Sequence, residues 1–136
     1  MQQQLIFAPM GALAFLTFGV LINIPIRRFA AVSRGLVRID DFRFGESGAV
    51  PGKVSIPNRS YMNLLELPVL FYVVGFMYEL AGKVDGLVIG LAWTYVALRV
   101  LHALVHLTYN NVAHRLAIFA TSNFVLLAMW IVFFIR

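Results

Sequence analysis

The 136-residue chain is 61% apolar and only 12% charged, contains no cysteine, and has a mean hydropathy of +0.85. Soluble domains carry about 25% charged residues, so half that share excludes a soluble globular enzyme, and the missing thiols exclude a disulfide framework or a Cys-ligated zinc or iron–sulfur centre. In a soluble protein the net charge of +5 would suggest nucleic acid; here the basic residues flank apolar runs, so membrane orientation accounts for them and no nucleic-acid partner is expected.

Crossing about 30 Å of hydrocarbon at about 1.5 Å per residue takes about 20 residues. The first such run is Leu5 to Ile26, which has no charge. Met1-Gln2-Gln3-Gln4 lacks the basic start of a signal peptide and Arg27-Arg28 follow the run, so it is read as a retained helix. Arg27 to Asn58 is polar, with Arg27, Arg28, Arg34, Arg38, Arg43 and Lys53 against Asp40, Asp41 and Glu46. Its basic excess predicts a cytoplasmic loop, with both termini on the other side. Gly45, Gly48, Pro51, Gly52 and Pro57 predict that its middle is irregular. Two impure runs follow, Ser60 to Ala81 and Leu87 to Leu107, joined by the short turn Gly82 to Gly86, which predicts antiparallel neighbours. The connection Tyr109 to Arg115, also expected to be cytoplasmic, leads to the last run, Leu116 to Ile135. The expected fold is an all-α membrane protein, a bundle of four transmembrane helices (about 5–26, 60–81, 87–107 and 116–135) in one domain spanning 1–136.

The middle pair of runs carries Asn63, Glu66, Glu79, Arg99, His102 and His106, and polar groups in a membrane need an interior to face. Arg99, His102 and His106 fall at i, i+3 and i+7, on one helical face. Asn63 and Glu66 share a face three residues apart on the neighbouring run. An unpaired charge at that depth costs a few kcal/mol, so a Glu66–Arg99 ion pair is expected. One reading makes this pair purely structural, pinning two helices together, with Asn63 as an interhelical hydrogen-bonding group. The other makes it a polar pocket: Arg offers a planar fork to carboxylates, Glu accepts from an ammonium, and a guanidinium near a thiol favours the thiolate. His102 and His106 at i, i+4 also fit a divalent cation, but Arg99 one turn away opposes a second positive charge, and no metal is assigned. Two imidazoles on one face do not suit a bis-His haem. Tyr109, His114, Trp93, Trp130 and Glu79 are read as boundary or packing residues. A single chain has too few helices to shield the Arg99–His102–His106 face, which predicts an oligomer.

The stretch from Asn58 to Tyr72, with Arg59, Asn63, Glu66 and Pro68 followed by aromatics, resembles the second-helix signature of the MAPEG family (membrane-associated proteins in eicosanoid and glutathione metabolism). Arg99-Val100-Leu101-His102 and the polar loop ending in Arg115 resemble the family's third helix and its cytoplasmic exit. The resemblance runs over essentially the whole chain. It implies a homotrimer binding glutathione as co-substrate between subunits near the cytoplasmic face. It also implies Arg59, Asn63, Glu66, Arg99, His102 and His106 as substrate-binding residues and Arg115 as the catalytic residue that stabilises the thiolate. Arg34 is a candidate for reaching the neighbour's site. The implied function is a membrane-bound glutathione-dependent transferase or peroxidase acting on hydrophobic electrophiles that arrive from the bilayer. The alternative is a non-catalytic membrane protein that binds a lipid or stabilises partner complexes. His106 stands where animal enzymes of the family have Tyr, and Pro68 follows Glu66 more closely than in those enzymes. The Glu-Leu-Pro-Val-Leu-Phe form is closer to the bacterial branch, which implies a bacterial inner membrane.

Overall fold

The computed structural model describes residues 2–136, which are helical apart from turns and one long loop. After a 3-10 turn at Gln3–Ile6, α1 runs over Phe7–Ser33, α2 over Gly52–Leu65, α3 over Pro68–Leu80, α4 over Gly86–Leu107 and α5 over Val112–Ile135. With α2 and α3 counted together, four helices are long and apolar enough to cross a membrane. The chain is therefore an integral, multi-pass membrane protein. α1 passes Ile26, the end of the apolar run, and continues to Ser33. There Gly35 takes φ 71° and the Leu36 N–H reaches the Ala31 carbonyl at 3.0 Å, a Schellman closure that glycine permits. α5 starts at Val112 rather than Leu116, because the Asn111 side chain caps it by accepting from the His114 N–H.

The long loop is shorter than expected, covering residues 34–51, and it folds back on α1. Arg28 pairs with Glu46 at 3.1 Å and lies over the Phe42 ring. Asp41 accepts from the Arg38 N–H at 2.8 Å and the Ser47 hydroxyl at 3.2 Å.

The core runs along the facing sides of α1, α3, α4 and α5, through Leu13, Phe71, Val74, Tyr95, Leu126 and Met129. Phe71 stacks on Tyr95 with centroids 4.7 Å apart, and the Tyr78 hydroxyl donates to the Met129 carbonyl at 2.6 Å. Gly75 admits α1: a Cβ there would stand 2.7 Å from Met10 Sδ. On the outside, Phe15, Phe18, Ile22, Ile26 and Phe29 of α1 and Phe124, Leu127, Ile131 and Phe134 of α5 are exposed at helical spacing, as lipid-facing stripes are.

Two prolines interrupt the second span, and each interruption is met by an arginine. Pro57 has no N–H to return to the Lys53 carbonyl one turn earlier, and Arg27 Nη1 donates to that oxygen at 3.0 Å while Nη2 reaches the Leu107 carbonyl at the end of α4. Pro68 cannot bond back to Leu64, and the chain leaves helical geometry at Glu66 (φ −82°, ψ −103°). The Asn63 carbonyl, which an unbroken helix would give to the Leu67 N–H, instead accepts from Arg99 Nη2 at 2.8 Å.

The end opposite the long loop is tied shut. Gln3 exchanges two hydrogen bonds with the Val84 backbone, Lys83 donates to the Phe133 carbonyl, and Asp85 caps α4 through the Val88 N–H and pairs with Arg136. The Val88 N–H bond, followed by Arg136, holds the Asp85 carboxyl below its usual range although partial burial pushes it up. A carboxyl depressed in the folded state contributes stability above its unfolded pKa and loses it as pH falls through the folded value. Melting temperature is therefore expected to drop as pH falls below about 4, and Asp85→Ala to lower it at neutral pH and flatten the acid limb. An acid limb of unchanged steepness in Asp85→Ala would assign the loss to other carboxylates.

Candidate functional site

The break between α2 and α3 faces the middle of α4, and the polar residues gather there. Arg99, on α4, is fully buried, at 0% exposure. One of its nitrogens serves the Asn63 carbonyl, and its guanidinium lies 5.6 Å from the Phe119 ring centroid on α5. Its Nε and Nη1 are buried without a partner among the described residues. One turn on, His102 is buried against Phe119 at 5.8 Å, and the His106 ring, also buried, lies 6.0 Å beyond with an unpartnered Nδ1.

A cavity of about 230 Å³ opens at this place, lined by Asn63, His102, Val112, Arg115, Leu116 and Phe119. Three residues singled out in the sequence thus line one space, and Arg99 stands next to it through Asn63 and Phe119. Arg115 is held there by a 2.7 Å bond from Nη1 to Asn110 Oδ1, while its Nε is buried and unpartnered. The early start of α5 puts Arg115 in its first turn, pointing back along the helix toward the α4–α5 connection. Asn110 sits at φ 50°, a left-handed conformation that asparagine tolerates. His114 and Tyr109, hydrogen-bonded to each other at 2.9 Å, are exposed and lie outside the cavity lining.

The expected Glu66–Arg99 ion pair does not form. Among the described residues the ion pairs are Arg28–Glu46 and Arg136–Asp85, and Glu66 is exposed at the helix break. The pair requires an unbroken helix, and the face shared by Asn63 and Glu66 ends where Glu66 leaves helical geometry. What meets Arg99 is the main chain of Asn63. Arg59 is exposed on α2 and His106 is buried behind His102; neither lines the cavity. Phe119 and Asn110 were missed. Phe119 was findable as the residue one turn after Arg115, whereas Asn110 acts through loop geometry that no spacing in the sequence encodes.

Chemically the arrangement is a partly desolvated cationic pocket. Arg115 lines it with an unpartnered Nε and His102 with an imidazole, Arg99 stands beside it with two more unpartnered nitrogens, and among the described residues no carboxylate lines it. Such a site suits a ligand carrying carboxylate or thiolate charge. A model of the MAPEG family matches residues 6–135, nearly the whole chain. The chain belongs to the MAPEG family. No curated protein matches it, and no solved structure does. MAPEG membership covers glutathione transferases and related proteins, and the family generally uses glutathione. In this MAPEG chain the second span is the broken one, and its break lies beside the arginine of the third.

Arg99 serves the site in two separable ways, as a donor to a main-chain carbonyl and as volume. Arg99→Met loses the donor, which is worth about 1.5–3 kcal/mol for a charged hydrogen bond. Arg99→Ala loses the donor and leaves a cavity, at a further cost of about 2 kcal/mol. Melting temperatures in detergent are expected to fall in the order wild type, Arg99→Met, Arg99→Ala; equal values for the two variants would show that the volume contributes nothing.

Proposed function

We propose that the protein is a glutathione-dependent transferase or peroxidase of the membrane, acting on hydrophobic electrophiles. The observation that carries this reading is the convergence of Asn63, His102 and Arg115 on one cavity beside a buried Arg99 with two unpartnered nitrogens. Glutathione has two carboxylates and a thiol, which complement these cations. Arg99 receives a carboxylate, Asn63 and His102 orient the peptide, and Glu66, with Arg59 at the rim, faces the ligand's ammonium end from an adjoining subunit of a homotrimer. His106 backs His102. Arg115 stands at the thiol and favours the thiolate, raising the reactive fraction at neutral pH. In transfer the thiolate sulfur forms a bond to the electrophilic carbon while the leaving group departs with its electron pair. In peroxide reduction two thiols become a disulfide as the hydroperoxide yields an alcohol and water.

The second substrate fits a separate apolar cleft of about 390 Å³, lined by Leu67, Leu70, Asn123, Leu126, Leu127 and Trp130. Asn123 lies one turn beyond Phe119 on α5, so the cleft lies one turn along that helix from the cationic cavity, beside the exposed Leu127. The same cleft supports the second reading, a non-catalytic protein that binds a lipid there. In either reading the long basic loop faces the cytoplasm, both termini lie on the other side, and the membrane is a bacterial inner membrane.

Calorimetric titration with glutathione separates the two readings: saturable binding at millimolar concentration is expected, and its absence would favour the lipid-binding protein. Arg115 and Arg99 are expected to fail differently. Arg115→Ala should raise the bound thiol's apparent pKa and slow the chemical step, with affinity and melting temperature changed less than in Arg99→Ala. Thiolate absorbance against pH measures this directly. An unchanged thiol pKa in Arg115→Ala would make Arg115 a structural residue that does no more than brace the α4–α5 connection through Asn110.

A further inference from the structure

At the loop end a second cavity, of about 530 Å³, opens between the last turns of α1, the first turns of α2 and the end of α4. It shares no lining residue with the cationic cavity described above. Its cations are Arg27, Arg34 and Lys53, and its apolar wall includes Leu36, Ile56 and Leu107. Arg27 is committed to the Lys53 and Leu107 carbonyls. Arg34 and Lys53 are exposed, and among the described residues neither has a carboxylate within ion-pair distance. The nearby acids are engaged elsewhere or point to solvent: Glu46 holds Arg28, Asp41 holds the loop backbone and Ser47, and Asp40 is exposed.

The cavity lies at a defined depth. From Phe7 to Arg27 is about 30 Å along the α1 axis, the thickness of the hydrocarbon, so Arg34 and Lys53 stand among the headgroups. Beside them the loop turns Leu36, Ile39 and Phe44 outward between Arg34, Arg38 and Arg43, with the Arg43 guanidinium 5.3 Å from the Phe44 ring centroid. Exposed apolar side chains interleaved with unpaired cations suit the boundary between acyl chains and anionic headgroups.

We propose that this cavity holds the phosphate of an anionic phospholipid, with Arg34 and Lys53 receiving the phosphate and Leu36 and Ile56 lying against the first carbons of its chains. Arg gives the phosphate a planar fork and Lys a point charge. The occupant is a lipid rather than a soluble phosphate ester because most of the wall is apolar. Assigned here, Arg34 serves the lipid phosphate rather than the neighbour's glutathione site, for which the sequence made it a candidate.

Native mass spectrometry of the detergent-solubilised full chain, titrated with dioleoyl phosphatidylglycerol or dioleoyl phosphatidylcholine, tests the site. Phosphatidylglycerol is expected to bind about five-fold more tightly for each cation engaged. The preference should vanish in the double variant Arg34→Gln, Lys53→Gln and persist in Lys83→Gln at the opposite end. Equal affinity for the two lipids, or a preference that survives the double variant, would overturn the proposal. Displacement of phosphatidylglycerol by equimolar glycerol phosphate would also overturn it, by revealing a site for soluble phosphate esters. Both substituted residues are exposed; a melting temperature in phosphatidylcholine checks that the double variant is folded, and Arg34→Gln alone carries the comparison if it is not.

Discussion

In hydrocarbon a main-chain carbonyl that leaves its helix has no water to accept from, so a donor from inside the protein stabilises the break. Prolines remove two hydrogen bonds from the second span, Pro57 within α2 and Pro68 at the α2–α3 break, and two arginines donate to carbonyls there. Arg27 reaches across from α1 to the Lys53 carbonyl and Arg99 reaches from α4 to the Asn63 carbonyl. These contacts fix how α1, α2 and α4 sit around one another. The device is local, because no side-chain donor among the described residues meets the Leu21 carbonyl that Pro25 frees on α1. It is confined to the broken span, where the polar residues are.

The same constraint accounts for the character of the cationic cavity. A guanidinium has five N–H donors, and a freed carbonyl occupies only one of its nitrogens, so Arg99 is left buried with Nε and Nη1 unpartnered. Burying such a group without an acceptor is costly. An arginine required to patch the main chain is thus also an arginine that gains from an anion brought to it. The helix break that demands the donor lies beside the cavity, and Asn63, whose carbonyl Arg99 meets, is one of its lining residues.

Much of the fold was legible in the sequence because lipid imposes a simple rule, a long uncharged run for each crossing, and the four spans and their order follow from it. The helix ends were not, because hydropathy does not register the Gly35 closure of α1 or the Asn111 cap of α5, although both residues are visible signals when read as caps. Of the site, the Arg99–His102–His106 face followed from helical spacing alone, and all three side chains are buried. The Glu66–Arg99 pair did not follow, because charge pairing was inferred from residue type while the broken backbone was the stronger claimant on Arg99. Pro68 was in view, and its consequence for the carbonyls before it was the missing step.

The two ends of the bundle are built to opposite purposes. At the far end nearly every polar group has its partner within the chain: Gln3 with Val84, Asp85 with Val88 and Arg136, Lys83 with Phe133. At the loop end Arg34, Arg38, Arg43 and Lys53 have no carboxylate partner among the described residues, and two cavities carry cations in their walls. Net charge alone would not produce this contrast, since Lys83 and Arg136 at the far end are neutralised or capped by contacts of the same kinds available to the others. Side-chain contacts are concentrated where the spans are joined by a short turn, and unpaired cations lie at the loop end where α2 begins.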